Sequence, residues 1–270
     1  MPAERLCAVI PAAGRGTRLG LDIPKIMVEI ADGVTVWHVL HERLRPYVEH
    51  VHVVMSPHGE GPFRALAAEQ IAAGAVSVSV QDRPTGMGGA IFGAAPHWEA
   101  HGAILVVWGD QAGLSPETVG RVVRAHEKGF TLPLVPMDDP YVEYELDDAG
   151  TLVRVRQSRE GDECRPGGLS DVGVFCLSTG LSTGLSTGLS TGLSTGLSTE
   201  GLREEWTRYL GEAAVGARTG EVNFLPFLPY LSRERNWPLT VVPVTDPDEA
   251  RGVNTADDLE FARRAHLRWA

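Results

Sequence analysis

The sequence predicts an α/β protein: a mostly parallel sheet flanked by helices, with a small β-rich lobe beside it. Three observations carry this. Short apolar runs alternate with helix-period segments from Leu6 to Met137, the rhythm of strand–helix–strand crossovers. From about Tyr141 that rhythm gives way to β-segments separated by turns. A glycine-rich stretch, "AAGRGTRLG", directly follows the first apolar run. In open α/β sheets that is the edge where ligands bind, so the sheet is expected to be Rossmann-like.

Leu6 to Ile10 reads as a buried strand and Val36 to Leu44 as a helix. "HVHVVM" (50–55) is a strand and Pro62 to Ala73 a helix. "VSVSV" (76–80) is a strand and Gly89 to Ala95 a helix. "AILVVWGD" (103–110) is a strand ending in an acid, Pro116 to His126 a helix, and "FTLPLVPM" (130–137) a strand. "YVEYEL", "TLVRVRQ" and "LSDVGVFCL" are β-segments of the lobe, with turns at Asp148–Gly150 and Pro166–Gly168. "LREEWTRYL" (202–210) and "NFLPFLPYL" (223–231) are helical, the second made irregular by its prolines. "PLTVVPV" (238–244) is a strand, and "NTADDLEFARRAHLRW" (254–269) a closing helix. The expected organisation is one domain over 1–270: a core at 1–137, a lobe at 138–253 and a terminal helix at 254–270.

Residues 177–196 are five perfect copies of Leu-Ser-Thr-Gly, and a sixth breaks at Glu200. Gly, Ser and Thr are poor helix formers, and one Leu in four residues cannot cover a core. The repeat at 177–199 is therefore expected to be a flexible surface loop without a catalytic role.

With 270 residues, 43% hydrophobic and 22% charged, the chain can fill one large α/β domain. A net charge of −11 argues against a nucleic-acid partner, which needs a basic face, but leaves room for a local cationic pocket. No run approaches the roughly 18 apolar residues of a membrane span, and "MPAERLCAVIPAAG" does not read as a secretory signal. Cys7, Cys164 and Cys176 form neither a disulfide framework nor a metal knot, and Cys7 and Cys176 sit in apolar runs as core residues. A cytoplasmic protein with no membrane partner is expected.

The opening loop, "VIPAAGRGTRLGLDIPKIM" (9–27), combines glycines and cations, which calls for an anion among them. A Walker loop would need Gly-x-x-x-x-Gly-Lys-Ser/Thr, which is absent. A dinucleotide fingerprint fits Gly14, Gly16 and Gly20 only loosely, and no acid ends the second strand for a ribose. Two readings remain: a Gly-rich βα turn with solvated cations, and the phosphate-cradling loop of the family that this stretch resembles, for which the residue types are apt. Gly14 and Gly16 allow close approach of backbone N–H groups, Arg18 forks onto phosphate oxygens, Lys25 supplies a compact charge, and Pro24 stiffens the loop's return.

This loop resembles the signature of the sugar-1-phosphate type of nucleotidyltransferase: apolar-Ala-Gly-x-Gly-Thr-Arg, a spacer, then Pro-Lys. "VQDRPTGMGGAI" (80–91) resembles that family's base-binding strand and loop, "LVVWGDQAGL" (105–114) its strand ending in Gly-Asp, and "ARGVNTADDL" (250–259) its closing Gly-Val-Asn. The four stretches come in the family's order, and the resemblance is strongest to the uridylyltransferase domain of the bifunctional N-acetylglucosamine-1-phosphate uridylyltransferases. The family's acyltransferase β-helix has no counterpart in the sequence, so acetyl transfer is not expected.

The resemblance implies a Mg²⁺-dependent enzyme joining an NTP (UTP, dTTP or CTP) to a phosphorylated small molecule. It implies catalytic Arg18 and Lys25; nucleotide binding by Ala12, Ala13, Gly14, Gly16, Thr17, Gln81, Gly86 and Met87; and Mg²⁺ ligation by Asp110 and Asn254. Trp108, Val142, Gln157 and Asp171 fall at the acceptor site, where the sequence departs from the family. Val142 replaces a glycine, Gln157 a glutamate, and Asp171 an asparagine. The acceptor is accordingly expected to be an atypical sugar phosphate, a cyclitol or a phosphonate. Glu143, Glu145 and Asp171 read either as partners for an amino- or hydroxyl-rich acceptor or as solvated loop acids. On the residues alone, Asp110 could cap the following helix, although Ser115 is already well placed for that task, and Asn254 could cap the last one. An NAD(P)-dependent Rossmann dehydrogenase and a non-catalytic nucleotide sensor stand as alternatives. Oligomeric state is not read from the sequence.

Overall fold

The computed structural model describes residues 6–14, 20–180 and 201–269. In chain order, β1 (Leu6–Pro11) is followed by a hairpin of β2 (Glu29–Ala31) and β3 (Val34–Thr35), α1 (Val36–Leu44), β4 (His50–Met55), α2 (Pro57–Leu66), α3 (Ala68–Ala72), β5 (Val76–Val80), α4 (Gly86–Gly93), α5 (Ala95–Trp98), β6 (Ala103–Val107), α6 (Pro116–Ala125) and β7 (Phe130–Met137). Then come β8 (Val142–Leu146), β9 (Leu152–Gln157), β10 (Gly168–Asp171), β11 (Val174–Ser178), α7 (Leu202–Glu212), α8 (Phe227–Arg233), β12 (Leu239–Pro243) and α9 (Ala256–Trp269).

β5, β4, β1 and β6 lie side by side, all parallel, as the alternation of strands and helices predicts. Leu6–Ile10 of β1 is buried because it is paired on both edges and covered on both faces. One face packs on α1, α2 and α6 through residues such as Trp37, Leu40, Phe63 and Val119. The other packs on α4, α5, α7 and α8 through an aromatic cluster. There Phe92 stacks on Trp206 with 4.7 Å between ring centroids, and Trp108 lies 4.7 Å from Phe175.

Beyond β6 the sheet differs from the expectation. The segment "LSDVGVFCL" does not lie wholly in a lobe. β11 sits between β6 and β7, antiparallel to both, and every one of its residues is buried. β10 instead pairs with β7 and β8. Gly173, at φ 75°, separates the two strands so that each takes different neighbours. An apolar run shows that a strand is buried but not which strands flank it. β8 and β9 form the antiparallel hairpin expected, turned by Asp147, whose carboxylate accepts from the N–H groups of Ala149 and Thr151. β12 pairs parallel with β7.

The first Leu-Ser-Thr-Gly copy is also corrected. Leu177 and Ser178 are the buried end of β11, and Gly180 bridges Gly201 while Leu202 N–H donates to Thr179 C=O at 2.8 Å. So 177–180 are framework, not surface loop; the remaining copies at 181–199 lie outside the described residues. Two helices start earlier than predicted. Ser56 caps α2 by accepting from Gly59 N–H, with Pro57 at the first helical position; "PHGEGP" reads as a loop in sequence because its glycines and prolines hide that start. α4 begins at Gly86 rather than Gly89.

Candidate functional site

A cleft of about 730 Å³ opens at the carboxyl ends of the parallel strands, where α/β sheets take their ligands. Of the predicted site residues, Ala12, Ala13, Gly14, Lys25, Gln81, Gly86, Met87, Trp108, Asp110, Val142, Gln157, Asp171 and Asn254 all line it. Gly16, Thr17 and Arg18 lie outside the described residues. Three distant stretches of sequence thus meet in one place, from the end of β1, the turn after β6 and the loop before α9.

β6 ends at Val107, so Trp108 to Asp110, expected as the end of the strand, belong to the turn after it, and Trp108 N–H donates to Gly173 C=O at 2.9 Å. Asp110 does not cap α6. Ser115 does, accepting from Thr118 N–H at 3.0 Å. Nor does Asn254 cap α9. Thr255 and Asp258 form a reciprocal box there: Asp258 N–H donates to Thr255 Oγ1, and Thr255 N–H to Asp258 Oδ2. Burial alone would raise the Asp258 carboxyl, but Arg251, Thr255 and the Asn254 N–H outweigh it and hold the pKa below the usual range.

Asp110 and Asn254 are therefore free for each other. Val253 N–H donates to Asp110 C=O at 2.8 Å, which brings the two loops together. Lys25, on a short 3₁₀ turn after Pro24, places its Nζ 2.7 Å from Asp110 Oδ2 and 2.6 Å from Asn254 Oδ1. Two oxygens from residues far apart in sequence thus converge on one cation.

At the base end, Gln81 Nε2 donates to Thr85 Oγ1 and to Gly86 C=O, each at 3.0 Å. Its two amide hydrogens are used, and its carbonyl oxygen is the end left for a ligand. Gly86 has φ 82°, and a Cβ there would lie 3.0 Å from Glu221 Oε2.

At the acceptor end, Asp171 is buried and accepts from Tyr144 O–H at 3.0 Å and from Gly173 N–H at 2.7 Å. Burial raises its pKa above the ordinary carboxyl value, with these neutral donors acting against the rise. Tyr144 is driven up by its own burial and by Asp171. Gln157, paired with Val142 across β8 and β9, is buried and its carboxamide takes no partner among the described residues. Glu143 and Glu145 are not solvated loop acids, and they do not line the cleft. Glu143 is buried against Arg165 and Arg156, and Glu145 pairs with Arg156 at 2.8 Å. Burial opposes the charge on Glu143, but the Arg165 N–H and guanidinium and Arg156 lower its pKa overall.

Sequence reasoning missed Gln111, Arg159 and Glu221, which also line the cleft. Gln111 directly follows Asp110, which is a signal that was available. It lies over Gly173, where any Cβ would overlap its side chain, and its Oε1 is buried without a hydrogen-bond partner. Arg159 Nη2 donates to Asn223 Oδ1 at 2.6 Å. Arg159 and Glu221 come from irregular segments with no local signature.

Comparison with known proteins identifies the family and the fold. Residues 8–142, half of the chain, match the MobA-like NTP transferase domain. A stretch of 160 residues is 29% identical to the bifunctional protein GlmU of Pseudomonas putida, covering 58% of this chain and 34% of that protein. The chain thus spans about a third of the length of that curated relative. A 2.76 Å crystal structure of a Bacillus anthracis protein assigned as a glucose-1-phosphate thymidylyltransferase, in complex with sucrose, superposes with a TM-score of 0.69 over 96% of this chain and 94% of that one, at 13% identity. That likeness establishes the shared fold. The protein is a nucleotidyltransferase. It belongs to the MobA-like NTP transferase family. The dehydrogenase reading of the opening loop is thereby set aside. Among the described residues no helix is long and apolar enough to cross a membrane.

Proposed function

We propose that the protein transfers a nucleoside monophosphate from a pyrimidine NTP to the phosphate of a small acceptor of the sugar 1-phosphate kind, releasing pyrophosphate. The observation that carries this is the meeting of Lys25, Asp110 and Asn254 beside the Gly14 loop. An acceptor phosphate is already ionised at neutral pH, so no general base is needed. One of its oxygens attacks the α-phosphorus, the bond from that phosphorus to the bridging oxygen breaks, and the electron pair leaves with pyrophosphate. The chain's task is alignment and charge neutralisation. Arg18 is assigned to the leaving phosphates and Lys25 to the α- and acceptor phosphates.

The donor set fits Mg²⁺. Asp110 and Asn254 offer two hard oxygens already gathered around a cation, and a Cβ on Gly252 would crowd Asp110 Oδ1 at 3.1 Å, so glycine keeps that oxygen open. Mg²⁺ is commonly held by one or two protein oxygens, with substrate phosphates and water completing the shell. Bound there, it would neutralise charge on the phosphates. A sensor without chemistry has no use for this arrangement.

UTP or dTTP is favoured over CTP. Turning the Gln81 amide over would set its oxygen against the Gly86 carbonyl, so the free end is an acceptor. Uracil and thymine offer N3–H to it; cytosine N3 is itself an acceptor. The acceptor site, with Val142, Gln157 and Asp171, supports a hydroxyl- or amino-bearing phosphate or phosphonate rather than N-acetylglucosamine 1-phosphate. A pyrophosphate-release screen of each NTP against sugar-phosphate, cyclitol-phosphate and phosphonate acceptors tests the reading; no release with any pair would refute it.

A further inference from the structure

Lys25 holds the same two oxygens that the proposed function gives to Mg²⁺. The Lys25 ammonium, 2.7 Å from Asp110 Oδ2 and 2.6 Å from Asn254 Oδ1, stands where a metal ion held by both oxygens would sit, and two like charges repel at such range. Resting on that assignment of Mg²⁺, we propose that Lys25 is the resident counter-cation of the metal site. In the free protein it occupies the oxygens of Asp110 and Asn254, and it moves off them onto phosphate oxygens when nucleotide is bound together with Mg²⁺.

Three observations support this exchange. First, the protein uses lysine at this place against its own habit. Of its 24 Lys and Arg residues only Lys25 and Lys128 are lysines. An ammonium is a compact point charge with three donors, the right shape to stand in for a metal ion; a planar guanidinium is not. Two of those donors are spent on Asp110 and Asn254, and the side chain stays 22% exposed, so it can reach a ligand in the cleft. Second, Lys25 is the one ion-pair partner of Asp110 among the described residues. Displacing it without an incoming anion would leave its charge beside the metal's. A nucleoside triphosphate supplies that anion, so metal and nucleotide should bind as a unit. Third, the oxygens do not depend on Lys25 for their placement. Val253 N–H ties the loop of Asn254 to the backbone of Asp110, and Ser115 N–H and the Thr118 hydroxyl donate to Glu249 in the same loop. Removing Lys25 should therefore leave a formed, vacated pair of ligands.

The test needs no acceptor. Mn²⁺, as a paramagnetic substitute for Mg²⁺, is titrated into the full chain without nucleotide and followed by electron paramagnetic resonance. Wild type is expected to bind it weakly. Lys25→Met and Lys25→Gln, each checked by melting, should bind it about tenfold tighter or more, and adding Asp110→Asn should abolish that gain. In parallel the two lysines of the wild type are labelled biosynthetically with ¹³C at Cε, which leaves the ammonium intact, with Lys128 as internal reference. The Lys25 signal should move on adding Mg²⁺ with UTP and stay still with Mg²⁺ alone. If both folded Lys25 variants bind Mn²⁺ no tighter than wild type, or if the Lys25 signal responds equally to Mg²⁺ alone, the proposal is overturned. Metal exchange without pyrophosphate release in the acceptor screen would instead sink the assigned reaction and leave the exchange standing.

Discussion

Glu249 reaches from the loop before Asn254 to the start of α6, where its carboxylate accepts the Ser115 N–H at 2.9 Å and the Thr118 hydroxyl at 3.0 Å. The contact is buried, and it fixes the loop of Asn254 to the element that follows Asp110. Glu249→Ala would leave two buried donors unpaired and remove the negative charge that faces Arg43. A loss of about 2–4 kcal/mol is expected, read as a lower melting temperature, with Glu249→Gln retaining part of it. Turnover should fall as well, because Asn254 loses its fixed position. An unchanged melting temperature in Glu249→Ala would contradict this.

Asp110→Ala should lower turnover by about two to four orders of magnitude, as removal of one electrostatic stabiliser of the transition state does. The fold should persist, since Asp110 is part-exposed and its backbone bond to Val253 is untouched. Steady-state kinetics with a melting curve separates the two effects; a folded variant with near-normal turnover removes Asp110 from the reaction.

Base choice rests on the network around Gln81. Wild type is expected to prefer UTP or dTTP to CTP by about tenfold, the value of one correctly paired hydrogen bond. Thr85→Val frees one amide hydrogen and should narrow that preference, and Gln81→Ala should abolish it with a smaller effect on the maximal rate. Competition assays between UTP and CTP read this directly. A wild-type preference for CTP would show that Gln81 does not read the base.

How much of the fold and site could be read from the chain depends on how local each signal is. The half-sheet of β1, β4, β5 and β6 was legible because each strand is a short apolar run between helical segments. Lys25, Asp110 and Asn254 were legible because each sits in a stretch with a recognisable pattern. Their contact, 85 and 229 residues apart in sequence, was not. The place of β11 was hidden for the same reason. "VFCLS" shows burial on both faces, but the neighbours β6 and β7 are chosen by the tertiary fold. Glu143 was misread because its alternating strand looks half-exposed, and Arg156 and Arg165 that bury and pair it come from other segments.

Stability should fall on mild acidification. Burial, with His97 and His50 nearby, lowers the pKa of His52 from 6.5 to about 3, and burial lowers that of His126 to about 4. Both are therefore neutral in the fold, while the unfolded chain takes up their protons below about pH 6.5. Their contribution is complete above that pH and is lost as pH falls toward the folded values, at up to about 1.4 kcal/mol per pH unit for each. Asp171, raised by burial, acts in the opposite sense, adding stability as pH falls through its raised folded value. Urea unfolding at pH 7 and pH 5 should show lower stability at pH 5, and His52→Gln should reduce the difference. A His52→Gln variant that keeps the full wild-type pH difference would rule out His52 as a source of it.

The last prediction concerns the repeat. Deleting Leu181 to Gly196 removes four whole Leu-Ser-Thr-Gly units and joins Gly180 to Leu197. The two ends of the segment are already held together, by the bridge of Gly180 to Gly201 and by the Leu202 N–H on Thr179 C=O at 2.8 Å. The remaining "LSTE" (197–200) then has only to close a short turn between paired backbones, a span of the usual hairpin length. Shortening the connection lowers the entropy of closing it by only a small amount. The melting temperature should therefore stay within a few degrees of wild type, and the kinetics should be unchanged. A cut that extends into Leu177 and Ser178 should behave differently. Those residues are buried between β6 and β7, and their loss should cost several kcal/mol, as emptying a core site does. Melting curves of the two deletions side by side decide the matter. If the shorter deletion destabilises as much as the longer one, the copies after Gly180 carry contacts of their own.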